Sequence, residues 1–143
     1  MTDVHEAIRA LLLGDTAVTA LVGTRIYPVH MPLGADVPNI TIHEISGPED
    51  YVTGHGYPRY QISCWSETFT EATTIKKAVK ASLNRFKGIV YGLNIQNISF
   101  LDSVDLYEEE SKLYHIPLDF QIVYFPEVSG DVTPSTLIDG GNA

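Results

Sequence analysis

The sequence predicts an α+β domain: a mostly antiparallel β-sheet, two helices packed on one of its faces, and a long C-terminal β-hairpin. Three observations lead there. Residues 98–125 form two arms of alternating apolar and polar residues about a polar turn. Residues 68–88 hold a long amphipathic helical pattern with its own start and stop signals. The other apolar runs are short, alternate in twos, and follow one another by tight connections.

Taken in order, Asp3 followed by Glu6 has the spacing of a helix-capping box, and Val4, Ile8, Leu11 and Leu12 recur at helical intervals after it. Gly14-Asp15 interrupts that run. Asp15 can cap a second short turn carrying Val18, Leu21 and Val22 as far as Gly23. Arg25-Ile26-Tyr27-Pro28 reads as a short strand, and residues 29–38, with Pro32, Gly34 and Pro38, as a loop. Residues 39–46 read as a strand with Ile40 and Ile42 on one face. Residues 47–58 hold three glycines and two prolines around Glu49, Asp50 and Tyr51. A twelve-residue connection exceeds a simple hairpin turn, and loops of that length in compact domains are usually functional or mobile. Tyr60, Ile62 and Cys64 alternate with Gln61 and Ser63 in a further strand closed by Trp65. Thr68 with Glu71 is a second capping box. Phe69, Ala72, Ile75, Val79, Leu83 and Phe86 continue the apolar stripe towards Gly88, which is placed as a C-cap.

The hairpin comes next. On its return arm Tyr114, Ile116, Leu118, Phe120, Ile122 and Tyr124 share one parity; His115, Pro117, Asp119 and Gln121 share the other. The outgoing arm places Ile98, Phe100, Val104 and Leu106 together, interrupted by Asp102, and Glu108, Glu109, Glu110 and Ser111 form the turn. A twelve-residue arm spans roughly 40 Å at ~3.3 Å per residue. A compact domain of this length is only roughly 36 Å across. The acidic tip is therefore expected to reach the edge of the body or overhang it, where it can touch a partner. Pro117 cannot donate to a ladder, which predicts an edge strand or a bulge at that point. An edge there would be open to a neighbouring subunit.

The chain of 143 residues suits one domain, expected over residues 1–126, with a flexible tail over 127–143 that is poor in large apolar side chains. Charged residues make up 19%, low for a free-standing surface, so partners are expected to cover part of it. No apolar run approaches membrane-spanning length, and the first residues lack the pattern of a signal peptide. A single cysteine, Cys64, excludes an internal disulfide and fits a reducing compartment. The net charge of −9 disfavours general nucleic-acid binding, which needs a basic patch. Five of the nine basic residues (Lys76, Lys77, Lys80, Arg85, Lys87) fall in one segment, a solvated helix face or a surface that docks on an acidic neighbour.

Catalytic and cofactor signatures are missing. The five histidines lie on different elements without ligand spacing, and no paired-cysteine or H-E-x-x-H pattern occurs. His43 and His115 take the polar parity of their strands, so they read as surface histidines. Cys64 shares the parity of Tyr60 and Ile62, so it reads as core rather than nucleophile. Nucleophile-elbow, phosphate-loop and Rossmann patterns are absent. Adjacent carboxylates at 108–110 rarely converge on a cation without imposed geometry. No catalytic, cofactor or metal site is assigned.

The chain resembles the tail-completion, or tail-terminator, proteins of long-tailed bacteriophages over about residues 8–126. The resemblance is carried by Val18-Thr19-Ala20-Leu21-Val22-Gly23, Arg25-Ile26-Tyr27-Pro28, Pro38-Asn39-Ile40 and Tyr60-Gln61-Ile62-Ser63-Cys64-Trp65 with the helix after it. Asp105-Leu106-Tyr107-Glu108-Glu109, Leu113-Tyr114-His115 and Leu118-Asp119-Phe120 complete it. It implies a structural virion protein and no enzyme: a ring, commonly of six subunits, on the head-proximal end of the tail tube. Such a ring stops tube polymerisation and joins the tail to the filled head. The implied partners are other copies of the chain, the major tail-tube protein and a head-completion or neck protein, with DNA only in transit and no membrane. The implied location is the virion tail at its junction with the head, after assembly in the host cytoplasm. The alternatives are a head-completion protein on the portal side and a small phage-encoded enzyme or ligand-binding module. Glu49, Asp50, Tyr51, Lys76, Lys80, Glu108, Glu109, Glu110 and Pro117 are the candidate contacts with neighbouring subunits or the tube.

Overall fold

A computed structural model of the chain describes residues 3–49 and 54–125. The expected tail at 127–143 lies outside the described residues, as do Asp50 and Tyr51. The elements are α1 (Val4–Leu13), α2 (Thr16–Val22), β1 (Ile26–Pro28), β2 (Asn39–Ser46), β3 (Arg59–Ser66), α3 (Phe69–Leu83), β4 (Gly88–Val90), β5 (Leu93–Ser103), β6 (Leu106–Glu108) and β7 (Leu113–Phe125). The α+β class with a mostly antiparallel sheet is therefore observed. The helical layer holds three helices rather than two, because the turn after Asp15 closes into a helix of its own.

All three helices start as their sequences predict. Asp3 accepts from the Glu6 N–H at 2.9 Å, Asp15 from Ala17 at 2.9 Å, and Thr68 from Glu71 at 3.2 Å, each supplying an acceptor to an orphan donor. The last box is not reciprocal, since the Glu71 carboxylate instead accepts from the Ser66 hydroxyl. α3 ends sooner than its apolar stripe suggests. Asn84 turns extended and accepts from the Phe100 N–H at 3.0 Å, while Arg85 takes a positive φ and donates to the Ile98 carbonyl. Bonds to β5 thus capture the chain before Gly88, which begins β4 and caps nothing. Tyr91 and Gly92, both at positive φ, make the two-residue turn from β4 to β5.

The strand order is β1-β2-β3-β7-β5-β4, with β6 also paired to β7. Every pairing is antiparallel except β1 with β2. The chain leaves β3, crosses the sheet as α3, builds β4 and β5 beyond the gap, and fills that gap last with β7. Registered rows run across the helix-covered face: Ile26, Ile40, Cys64 and Ile116 in one, Ile42, Ile62 and Leu118 in the next. Phe120 lies between Tyr60 and Phe100, the two phenyl rings edge-on at 5.7 Å. These rows are buried beneath Ile8, Leu12, Val18, Val22, Ile75, Val79 and Leu83 of the helices. Cys64 is wholly buried, and burial pushes its thiol far above its ordinary range, as a core cysteine requires.

Three expectations for the hairpin change. The outgoing arm is two strands, and an irregularity between Phe100 and Asp102 shifts its register. A one-residue shift exchanges the faces, so Ser103 joins the row of Leu118 while Leu106 sits opposite His115 on the other face. β7 is central, and Pro117 is buried between β3 and the β5–β6 arm, not on an edge. Its carbonyl accepts from Val104 at 3.4 Å. In a strand N–H and C=O of one residue point the same way, so the missing donor faces the point where the partner arm is interrupted. The tip reaches the edge of the body and stands just clear of it: β3 accompanies β7 as far as Tyr114, and the turn occupies residues 109–112.

Phe120 fills the middle of the sheet, so Phe120→Ala should cost about 3–5 kcal/mol in urea unfolding. A loss under about 1 kcal/mol would show that the layers close over the gap.

Candidate assembly surfaces

The expected contact residues separate into distinct places. Glu108 begins the hairpin turn; its carbonyl accepts from Lys112 at 2.8 Å and its carboxylate from the Ser111 hydroxyl at 2.9 Å. Lys112 closes the turn at positive φ. Glu109 and Glu110 are exposed beside it. On α3, Lys77 and Lys80 are exposed and Lys76 is half-buried. The Lys80 ammonium lies 4.3 Å from the centre of the Phe100 ring. Among the described residues no carboxylate pairs with Lys76 or Lys80. Glu108 is eight residues further along the arm than Phe100, roughly 25 Å in extended chain. Lys80 is thus far from the Glu108 carboxylate of its own subunit.

Glu49 belongs to a site that sequence reasoning missed. Residues 54–58 lie back on the sheet: Gly56 exchanges two backbone bonds with Tyr124, each 3.0 Å, and bridges to Glu49. The Tyr124 ring covers Gly56 so closely that a Cβ there would overlap it, which is the physical need for glycine at this position. The returning chain frames a cleft of about 220 Å³ lined by Asp3, Glu44, Glu49, Tyr60, Leu93 and Tyr124 among others. Burial, then Glu44, Asp3 and Tyr124, push the Tyr60 hydroxyl well above its ordinary range. Burial, then Glu49 and Glu44, raise that of Tyr124. The cleft is therefore an anionic recess with two neutral phenols. Only the closing tyrosine of the period-2 run and the Gly54-His55-Gly56 turn hinted at it in sequence.

The uncovered face of the sheet is polar and tightly cross-linked. Gln61 and Arg59 both bond the Asp119 carboxylate, at 3.1 and 3.3 Å, and Trp65 donates to the Thr41 hydroxyl at 3.0 Å. His115 is not a simple surface histidine. Its ring stacks on Trp65 at 3.8 Å, its Nε2 is buried with no partner, and burial lowers its pKa against an opposing pull from Glu108. Among the described residues no group of histidine, cysteine or carboxylates is arranged to hold a metal ion. No helix among them is long and apolar enough to cross a membrane.

The comparisons with known proteins agree in kind. A family model described as tail completion protein gp17 matches residues 6–124. A chain in the solved virion of a native gene transfer agent (GTA) particle has the same fold, with a TM-score of 0.73 at 20% identity. The match covers 86% of this chain and 95% of that one. Among curated proteins no relative matches.

A histidine whose folded pKa lies below its ordinary ~6.5 binds its proton more weakly folded than unfolded. Its contribution to stability is fully present above about pH 6.5 and is lost as the pH falls below that value. His115→Phe keeps the stack on Trp65 and removes the titration. Its unfolding midpoint should fall less between pH 7.5 and 5.5 than that of the native chain. Equal losses in both proteins would exclude His115 as a source of acid sensitivity.

Proposed function

This chain belongs to the tail completion protein gp17 family, a family of structural virion tail proteins rather than enzymes, and from that premise we propose how it completes the tail. Copies assemble as a ring, of six subunits, on the head-proximal end of the tail tube. The ring stops tube polymerisation and offers the surface that joins the tail to the DNA-filled head. Its partners are other copies of itself, the major tail-tube protein and a head-completion or neck protein, and DNA passes through without being retained. The observation that carries this reading is the family match over nearly the whole folded body. The acidic hairpin turn, the lysines of α3 and the 47–58 loop are the surfaces with which it would make its contacts. The net charge of −9 fits a channel protein that does not hold DNA, because affinity for DNA comes chiefly from phosphate contacts.

Particles made with this gene interrupted by a stop codon should show DNA-filled heads beside unattached, irregularly long tails in electron micrographs. Tails of normal length that merely fail to attach would transfer the role to a neck protein. Intact infectious particles would remove the protein from the joint.

Replacing Glu108, Glu109 and Glu110 together by lysine should weaken assembly, most visibly at low salt, because exposed charge pairs are each worth only ~0.2–1 kcal/mol. Assembly unchanged at moderate salt would take the hairpin turn out of the contact.

A further inference from the structure

The charges are segregated along the chain, and the topology carries the two sets to the two ends of the strand order, with α1 between them: its Glu6 and Arg9 lie beside Pro28 and Ile42 on one side and beside Tyr91 on the other. Residues 26–58 contain no lysine or arginine and four carboxylates: Asp36, Glu44, Glu49 and Asp50. Residues 72–101 contain no carboxylate and five basic side chains: Lys76, Lys77, Lys80, Arg85 and Lys87. The first segment supplies β1 and β2, at one end of the strand order; the second supplies most of α3, β4 and much of β5, at the other end.

Both edges are unfinished. Beyond Pro28 opposite Ile42, no described strand accompanies β2 on its outer side, and none lies outside β4. Both also present apolar side chains to solvent. Ile89 and Tyr91 are 69% and 71% exposed at the β4 end, Tyr91 beside Glu6 and Arg9 of α1, and Lys77, Lys80, Ala81 and Asn84 wall a separate shallow depression at the end of α3. Val29 and Ile45 are 54% and 45% exposed on the acidic side. Val29 is also held at a φ of 65°, a region costly for a β-branched residue, by a bond to the Ile42 carbonyl.

We propose that these two edges dock on each other in successive copies of this chain, the basic β4 edge of one against the acidic β2 edge of the next. The occupant of each edge is a second copy because the two surfaces complement each other in charge and both offer an open strand with apolar residues. DNA would answer the lysines but not the acidic edge. Since the two surfaces differ, the contact is heterologous and repeats head to tail, closing a ring when the rotation between copies allows it. This seam rests on the ring reading above and specifies it. Charge sets the order of approach and the register, and the apolar pairs supply the adhesion.

The test is a charge exchange. One variant carries Lys77→Glu, Lys80→Glu and Lys87→Glu; the other carries Glu44→Lys and Glu49→Lys. In sedimentation velocity the native chain should associate in a salt-sensitive manner. Each variant alone should associate at least about tenfold more weakly, because like charges then meet. An equimolar mixture should recover association, because each altered edge finds its complement, and recovery requires both variants to be folded. Native-like assembly of either variant alone, or a mixture that stays dissociated while the native chain assembles, overturns the seam. Rings of the native chain in micrographs would then leave the ring reading standing. A native chain that forms no ring, alone or on tail tubes, overturns both. A lysine variant that assembles normally but no longer retards duplex DNA would assign the basic edge to DNA instead.

Discussion

One side of one strand has to stay dry, and most of the molecule is arranged around that requirement. On β7, Ile116, Leu118, Phe120 and Ile122 are buried, each worth about 1.5–3 kcal/mol against exposure. The intervening positions include Asp119 and Gln121, which hold a polar network on the other face. A slip of one residue would exchange the two sets and place a carboxylate in the core. Register is therefore tightly specified at the centre of the sheet. Because β7 is inserted last between β3 and β5, its register aligns both of those strands and, through them, the seat of α3.

The same requirement explains the local irregularities. A proline is hard to accommodate in a central strand, and the chain accommodates it by interrupting the neighbour. β5 ends at Ser103, β6 begins at Leu106, and the side of Pro117 that lacks an N–H faces the break. The shift before Asp102 lets two arms of unequal pattern share one partner. It also releases the distal arm from the core, so the hairpin can carry an acidic turn at the rim of the body at little cost to packing. The stacked Trp65 and His115 rings brace that arm from the polar face.

A tail protein has to be stable alone yet leave surfaces ready for neighbours. Here the helices cover one face of the sheet, while among the described residues no strand lies outside β4 or alongside the end of β2. On the proposed seam those edges would be matched by charge rather than by a large apolar patch. Such an arrangement favours ordered approach over indiscriminate sticking. The recess around Tyr60 and Tyr124 lies at the end of the sheet away from the hairpin turn, so the carboxylates at the two ends serve different surroundings.

What the sequence determined by itself was local and periodic. The caps at Asp3, Asp15 and Thr68 needed only neighbouring residues. The buried parity of β7 followed from a strict alternation that admits one reading, as did the core position of Cys64. Glu49, Lys80, Glu108, Glu109 and Glu110 were legible as exposed charges, but their arrangement was not. The early end of α3, the central place of β7 and the burial of Pro117 all depend on bonds to residues distant in the chain: Ile98, Phe100 and Val104. The covering of His115 by Trp65 and the recess behind Gly56 likewise join residues about fifty and seventy positions apart. Periodicity tells a side chain which face it takes. Only the closed sheet decides which strands lie beside it, because that choice is made by backbone partners and by the volume left between layers.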